Sequence, residues 1–350
     1  MNISNFIGIF FIIIVIILVI LIIIDILFLN KKFLNNIFNI KSSNEKIVLN
    51  NTYINEKIDK KTNYIEITKP ANESAAIFTT NYTLELSQDI PLNIKQFIRD
   101  PENKLFKNKV KYINIFDCID IIAMDEILDH KILHVANVIA EWLDNDKNGV
   151  IDDNKVYYKL KGKKFNDKTT IIIFTKETDL QFVRNIRETY FIKSNNLFNN
   201  NIRPEGFDGT KIDSTIEETL QLIIKYGWSE AYPSIFGAID SSIKKAMDKA
   251  RGGIFTVIPK KYPKSAWYTY YDLSCNYDCQ INEYLFWATV TYLEGFNSNN
   301  WPGREVSYKE KWKPTTKAEL LTYDPDIYNL LEDTKNYPIK NLPKGNYSLI

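Results

Sequence analysis

A short aspartate-rich stretch, DNDKNGVIDDNK at residues 144–155, matches the residue pattern of an EF-hand calcium loop. Oxygen-bearing side chains stand at positions one, three, five and nine, a glycine at six and an apolar residue at eight. A hard cation such as Ca²⁺ takes roughly six to eight oxygen ligands, and the glycine permits the sharp turn between them. The predicted ligands are the side chains of Asp144, Asp146, Asn148 and Asp152 and the carbonyl of Val150.

The loop departs from the pattern at position twelve, where Lys155 replaces a bidentate glutamate. Either Asp153 or another segment of the chain would have to supply the missing oxygen. We therefore expect weak binding, with a dissociation constant of about 10⁻⁴ to 10⁻³ M, and a structural clip instead of a calcium switch. The alternative is a helix that ends in an Asp/Asn/Gly turn without an ion.

The two histidines of the chain, His130 and His134, precede this loop with the spacing that zinc requires on one helix. Lys131 stands where a zinc peptidase would carry its catalytic glutamate. The histidines share a polar stripe with Asn137 and Glu141, opposite the strongest apolar face of the helix. We expect a solvated or interfacial helix face here and no zinc.

A second set of acids lies in later helices. Glu217 and Gln221 occupy the histidine positions of a zinc-peptidase helix around Glu218, and Glu283 would be the third ligand. This pattern is the basis of an alternative function, a metal-dependent, degenerate zincin-like hydrolase, in which these carboxylates and Asp272 meet in a cleft. The competing interpretation is that Glu217 closes a capping box with Ser214 and that Glu218 is solvated.

Three cysteines occur, and two of them, Cys275 and Cys279, stand four residues apart within an aromatic segment at 267–287. A zinc site would need two further ligands that are not nearby, so we expect either a disulfide or two free thiols. The aromatic side chains are expected to pack in the core, although the same density is found in carbohydrate or peptide grooves. A protein or glycan partner is not identifiable from this segment.

Charge excludes one class of function. Lysine plus arginine total 44 and aspartate plus glutamate total 43, and no basic stripe with interleaved aromatic residues is present. We therefore expect no nucleic-acid partner.

An apolar run at the N-terminus predicts a membrane anchor. Residues 7–24 carry no charge and are nearly all Ile, Val, Leu or Phe, which is long enough to span a bilayer. The run exceeds the apolar core of a signal peptide and lacks a small-residue cleavage site. We therefore divide the chain into an anchor (1–29, contacting lipid through 7–29), a polar stalk (30–63) and a globular body (64–350).

The side of the membrane on which the body lies is predicted with conflicting signals. Lys31 and Lys32 after the anchor favour a cytoplasmic body. Glycosylation and a disulfide would favour a lumenal or exterior one, and we lean slightly towards that side. The sequons begin at Asn50, Asn72, Asn81 and Asn346. The abundance of asparagine predicts about as many by chance.

The elements expected in the body are mainly helical, and the fold class is a helix-rich α+β body with a small β component, preceded by one transmembrane helix. Strands are predicted at 64–68, 82–86, 168–176 and in IFTVIP (254–259). Helices are predicted at 117–143, from Ser214 to a stop at Gly227, at 238–250 and in the second half of the aromatic segment. The chain from Pro302 is expected to be rich in loops.

The order of several segments resembles a known family. LHVANVIAEWLDNDKNG, IEETLQLI, AYPSIFG, AMDKARGG, AWYTYYD, C-x3-C and NEYLFWA follow one another across residues 110–345. This arrangement resembles an uncharacterised family of giant DNA viruses and some marine microbes. The amino-acid composition, typical of an AT-rich genome, and the anchor resemble those of membrane proteins of mimivirus-type viruses. The resemblance implies a viral protein in a host or virion membrane and implies no chemistry.

The sequence thus favours a single-pass membrane protein with a structural or surface-interaction role and one structural calcium loop. An enzyme is the less favoured alternative.

Overall fold

The computed structural model describes residues 84–100, 105–106, 109–163, 167–182, 190–206, 213–297, 311–333, 335 and 337–349. The expected anchor (1–29), the stalk (30–63) and the strand at 64–68 lie outside the described residues. Within the described residues, no helix combines the length and the apolar character that crossing a bilayer requires.

A four-stranded mixed sheet runs through the first half of the described chain in the spatial order β1-β2-β3-β4. β1 pairs with β2 in antiparallel orientation, and β3 pairs in parallel with β2 on one side and with β4 on the other. The strands are β1 (Val110–Ile115), β2 (Ile119–Met124), β3 (Thr169–Phe174) and β4 (Ser194–Phe198).

Every residue of β2 and β3 is buried, which is expected where both faces of a sheet are covered. β3 confirms the strand predicted at 168–176. The helix predicted to begin at residue 117 is wrong in its first part, because residues 119–124 form β2. A tight turn with positive φ at Phe116 and Asp117 (51° and 55°) joins β1 to β2.

Helices surround this sheet and continue beyond it. In chain order they are α1 (Leu92–Arg99), α2 (Asp129–Leu143), α3 (Asn154–Lys161), α4 (Thr215–Ile223), α5 (Ser229–Ala231), α6 (Pro233–Phe236), α7 (Ser242–Ala250), α8 (Tyr277–Tyr292), α9 (Lys317–Tyr323) and α10 (Pro325–Glu332). α2 packs against β1, β2 and α4, and α4 packs against β4. The coarse prediction of an α+β body is confirmed.

Helix α8 is the central helix of the second half. Twelve of its sixteen residues are buried, and it packs against α4, α7, α9 and α10. Its apolar residues surround the axis without a polar stripe, which is typical of a helix enclosed on all sides. The helix predicted in the second half of the aromatic segment is therefore confirmed.

The predicted start of α4 at Ser214 is confirmed, because the helix begins at Thr215, but the predicted cap and the predicted stop are wrong. Ser214 makes no side-chain cap, and Asp213 takes that role by accepting hydrogen bonds from the N–H and the hydroxyl of Thr215 (3.1 and 2.6 Å). Gly227 is not a stop, because the helical backbone continues through a π-helical turn, Ile224–Trp228, into α5. A Cβ at Gly227 would lie 2.8 Å from Val156 of α3, so this glycine permits close helix packing.

The described chain also corrects two predicted strands and the start of one predicted helix. IFTVIP at 254–259 forms no strand, and neither do residues 84–86 of the strand predicted at 82–86. α7 begins four residues later than predicted, where the Ser241 hydroxyl accepts from the N–H of Lys244 (3.1 Å). The described part of the segment from Pro302 is rich in loops, as predicted, and also contains α9 and α10.

Candidate metal centre and carboxylate cleft

The aspartate-rich loop connects α2, which ends at Leu143, to α3, which begins at Asn154. One carboxylate oxygen from each of Asp144, Asp146 and Asp152 lies within 4.8 Å of the others. Within the described residues, this is the one group of three acidic, histidine or cysteine side chains close enough to share a metal ion. Three of the predicted ligands are therefore brought together.

Local hydrogen bonds fix the turn of the loop. The carboxylate of Asp144 accepts from the backbone N–H of Asn148 (3.1 Å) and of Gly149 (3.0 Å). Gly149 has a φ of 85°, which favours glycine, and Lys147 adopts a φ of 58°. The end of the loop lies next to the end of α2, because the N–H of Asp152 donates to the carbonyl of Leu143 (3.0 Å).

The other two predicted ligands lie in the same turn. The amide oxygen of Asn148 accepts from the N–H of Val150 (2.8 Å), and its amide nitrogen donates to Asp146 (2.8 Å). Ile151, at position eight, is buried as expected. The structure therefore brings together the carboxylates of Asp144, Asp146 and Asp152, and the Asn148 side chain and the Val150 carbonyl stay predicted ligands.

Burial and mutual repulsion raise the free energy of the ionised carboxylates in this loop. Burial raises the pKa of Asp152 to about 7, and the charges of Asp146 and Asp144 add to the rise. Burial also raises the pKa of Asp144 above its ordinary value. Lys147, the lysine inside the turn, pairs with Glu141 (2.8 Å) and not with these acids. A bound divalent cation would relieve this repulsion.

The two residues considered for position twelve point elsewhere. The exposed Lys155 places its Nζ 5.3 Å from the centre of the Tyr232 ring. Asp153 is the N-cap of α3, because its Oδ1 accepts from the N–H of Val156 (2.9 Å). Its other oxygen accepts from the Tyr232 hydroxyl (2.6 Å). Asp153 is thus used by the fold and is not oriented as a substitute ligand.

The C-terminal segment 340–347 covers the loop, which the sequence did not predict. Glu141, 2% exposed, accepts from the N–H groups of Lys344 (2.6 Å) and Gly345 (2.8 Å). The side-chain oxygen of Asn145 accepts from the N–H of Lys340 and of Asn341 (both 2.7 Å). We refer to residues 340–347 as the C-terminal strap. The strap is fastened to the helix and loop that carry the acids.

Within the described residues, neither histidine belongs to a group of three side chains close enough to share a metal ion. His134 is buried, and its Nε2 lies 2.6 Å from Oδ2 of Asp213. A Cβ at Gly345 would lie 2.2 Å from the His134 ring, so the strap passes directly over it. His130 is exposed. The interfacial interpretation of the polar stripe is therefore correct for His134 and Glu141, and the solvated one is wrong for them.

Of the second set of acids, Glu283 lines a cleft of about 240 Å³, together with Gln221. Glu217, Glu218 and Asp272 are not among the residues that line it. Gln221 Nε2 donates to Glu283 Oε1 (2.8 Å), and the Tyr270 hydroxyl also hydrogen-bonds to Glu283. Burial raises the pKa of Glu283 to about 8, and the charges of Glu217 and Glu218 add to the rise. Burial therefore favours the protonated form of Glu283.

This cleft is not built as a tricarboxylate metal site. The ligand oxygens of Glu217, Glu218 and Glu283 are not close enough to share an ion within the described residues. The side-chain amide of Asn195 donates a hydrogen bond to one carboxylate oxygen of Glu218 (2.8 Å). The arrangement instead provides a buried carboxyl group with a raised pKa, which lines a polar cleft.

Cys275 and Cys279 form a disulfide, which resolves the alternatives left by their spacing. The remaining cysteine, Cys118, is free and buried.

No protein-family model, no curated protein and no solved structure matches this chain. The resemblance to the giant-virus family stays a prediction from the sequence.

Proposed function

We propose that this chain is a single-pass membrane protein with a structural or surface-interaction role, whose body is fastened by one calcium ion. The observation that carries the calcium part is the convergence of Asp144, Asp146 and Asp152 beneath the C-terminal strap. The anchor is supported by the uncharged apolar run at 7–24.

Calcium would act here as a clip. Neutralising the three carboxylates stabilises the ionised loop, and the ordered loop in turn holds Asn145 and Asp144 where the strap contacts them. A loop without a glutamate at position twelve binds weakly and fills only where calcium is abundant. The disulfide also favours an oxidising compartment. Both features support a body on the lumenal or exterior side of a host or virion membrane.

Two measurements test this function. Isothermal titration of the full-length protein in detergent is expected to show one calcium ion per chain, bound in the submillimolar to millimolar range. Carbonate extraction of membranes is expected to leave the full-length protein in the membrane fraction. The absence of saturable calcium binding would reject the clip, and release by carbonate would reject the anchor.

A second candidate, a hydrolase, is favoured by one observation, the buried acid in the cleft. A carboxylic acid with a pKa near 8 is suited to proton donation at neutral pH, and Gln221 holds it in place. Fluorogenic peptides and glycosides would test this activity. A hydrolase of this kind would lose turnover in Glu283→Gln and keep it in Glu205→Gln, an exposed control.

A further inference from the structure

The loops between α7 and α8 expose four large apolar side chains. Ile254 is 70% exposed, Val257 76%, Tyr271 52% and Leu273 85%. We refer to these four residues as the apolar loop surface. Exposed apolar side chains concentrated on two neighbouring loop segments are typical of a contact surface.

The apolar loop surface is supported from beneath. Arg251 is fully buried, and its guanidinium carbon lies 5.4 Å from the ring centre of Phe255 and 5.7 Å from that of Tyr262. The Tyr262 ring packs edge-on against the Tyr271 ring (5.5 Å), which joins the two loop segments. The Cys275–Cys279 disulfide closes the chain directly after them. These contacts hold the loops in place while their apolar side chains stay in solvent.

The guanidinium of Arg251 lies among the aromatic rings beneath the loops. None of its three nitrogens has a hydrogen-bond partner within the described residues. The contacts that stabilise the cation there are with aromatic rings, including that of Tyr277 (5.7 Å). Such contacts are strongest when the cation is desolvated. Loosening the loops would separate the cation from its rings.

The charge around the apolar loop surface is positive. Lys260, Lys261 and Lys264 are exposed, and none of them forms an ion pair with a described residue. No aspartate or glutamate occurs in the sequence from residue 249 to 271. One acid, Asp272, stands between Tyr271 and Leu273, and the N–H and hydroxyl of Ser274 donate to it (2.9 and 2.7 Å). The surface therefore combines apolar side chains with three lysines, which have no ion-pair partner among the described residues, and one aspartate.

We propose that the apolar loop surface docks on a phospholipid bilayer, with its apolar side chains among the acyl chains and the lysines at the phosphates. Lysines flanking exposed apolar side chains are typical of interfacial membrane binding, whereas lysine is depleted in protein–protein interfaces. The proposal rests on the proposed anchor, because a membrane helix in the same chain raises the local concentration of lipid and makes a weak contact sufficient.

The test places a fluorophore on the surface of the full-length protein. Val257→Cys is labelled with an environment-sensitive dye and reconstituted in vesicles of phosphatidylcholine, alone or mixed equally with phosphatidylserine. Leu321→Cys, an exposed apolar site on α9, is the matched control. Labelling is selective because the native cysteines are buried or disulfide-bonded. Phosphatidylcholine carrying a doxyl group on its acyl chain serves as the contact quencher.

We expect a blue shift and strong doxyl quenching at residue 257, larger with phosphatidylserine, and neither effect at residue 321. Replacing Lys260, Lys261 and Lys264 together by glutamate is expected to remove most of the quenching. Equal quenching at both sites, or none at 257, would overturn the proposal. An emission change that follows protein density without quenching would identify a contact between copies and would also overturn it.

Failure of the anchor can be distinguished from failure of the surface. Carbonate extraction of the same vesicles tests the membrane helix alone. If the label at residue 257 is quenched before extraction and carbonate then releases the chain, the anchor is rejected and the docking surface is retained. If the label is not quenched and the chain resists extraction, the docking surface is rejected and the anchor is retained.

Discussion

The hydroxyl of Tyr347 donates a 2.5 Å hydrogen bond to Oδ2 of Asp144, across 203 positions of the sequence. This bond joins the C-terminal strap to the first ligand position of the loop. Because the strap also contacts Glu141 and Asn145, loop and strap form one structural unit. Any ligand that orders the loop should therefore order the strap, and the coupling must act equally in both directions.

The first prediction concerns calcium itself. At a concentration 100 times its dissociation constant, calcium should raise the free energy of unfolding by about 2.7 kcal/mol relative to chelator. Thermal melts of the full-length protein measure this, and Asp144→Ala with Asp146→Ala should remove it. Asp125→Ala with Asp240→Ala removes two exposed aspartates elsewhere and should leave it intact. Identical melting with millimolar calcium and with chelator would contradict the prediction.

The strap supplies the second prediction. Tyr347→Phe removes one hydrogen bond to a carboxylate but keeps the ring that packs against Phe116 (5.6 Å). We expect the free energy of unfolding in chelator to fall by about 1–2 kcal/mol. Denaturant titration gives the value, and Tyr323→Phe, at an exposed tyrosine, is the matched control. Equal stability of the two variants would show that the bond contributes nothing.

The third prediction uses the departure at position twelve. Lys155→Glu places a carboxylate where calcium loops carry a bidentate ligand and removes a positive charge. Calcium affinity should rise about tenfold or more, equivalent to about 1.4 kcal/mol. Lys155→Met removes the same charge without adding a ligand, so it should account for only a small part of the gain. If both variants bind calcium equally tightly in titration calorimetry, charge alone explains the effect.

The parts of the site that could be predicted are the local ones. The ligand positions from Asp144 to Asp152 lie within one turn of chain, so their types and spacing were enough. The covering strap was not predictable because its partners are some 200 residues distant, for example Lys344 with Glu141. The polar stripe on α2 was the available signal, since it had to face either solvent or another segment.

The same distinction explains the errors in the fold. Residues 119–124 are apolar at almost every position, and periodicity does not separate a buried strand from a buried helix in such a run. Pairing with β1 and β3 decides the outcome. Gly227 has the composition of a helix stop, yet contact with Val156 and Leu160 requires a glycine inside the helical turn. In both cases tertiary contacts override the local pattern.

The fourth prediction concerns the buried histidine. Because His134 contacts Asp213 and the strap, His134→Ala should lower the free energy of unfolding by about 3 kcal/mol. Zinc should have the same small effect on this variant as on the parent. His130→Ala, four residues earlier and exposed, should leave stability unchanged. Zinc stabilisation of the parent that disappears in His134→Ala would show that the helix carries a metal site after all.

The last prediction is a pH dependence from Glu283. Its folded-state pKa of about 8 lies above the ordinary value of 4.5, so the folded chain holds a proton that the unfolded chain has released across this interval. Stability should therefore be greatest below pH 4.5 for this group and should decline as the pH rises towards 8, by at most about 1.4 kcal/mol per pH unit. Glu283→Gln should remove this pH dependence of the free energy of unfolding and should be more stable than the parent above pH 8. Denaturant unfolding across pH measures both proteins, with Glu205→Gln as the exposed control. Parallel curves for parent and Glu283→Gln would show that this carboxyl ionises as easily in the folded chain as in water.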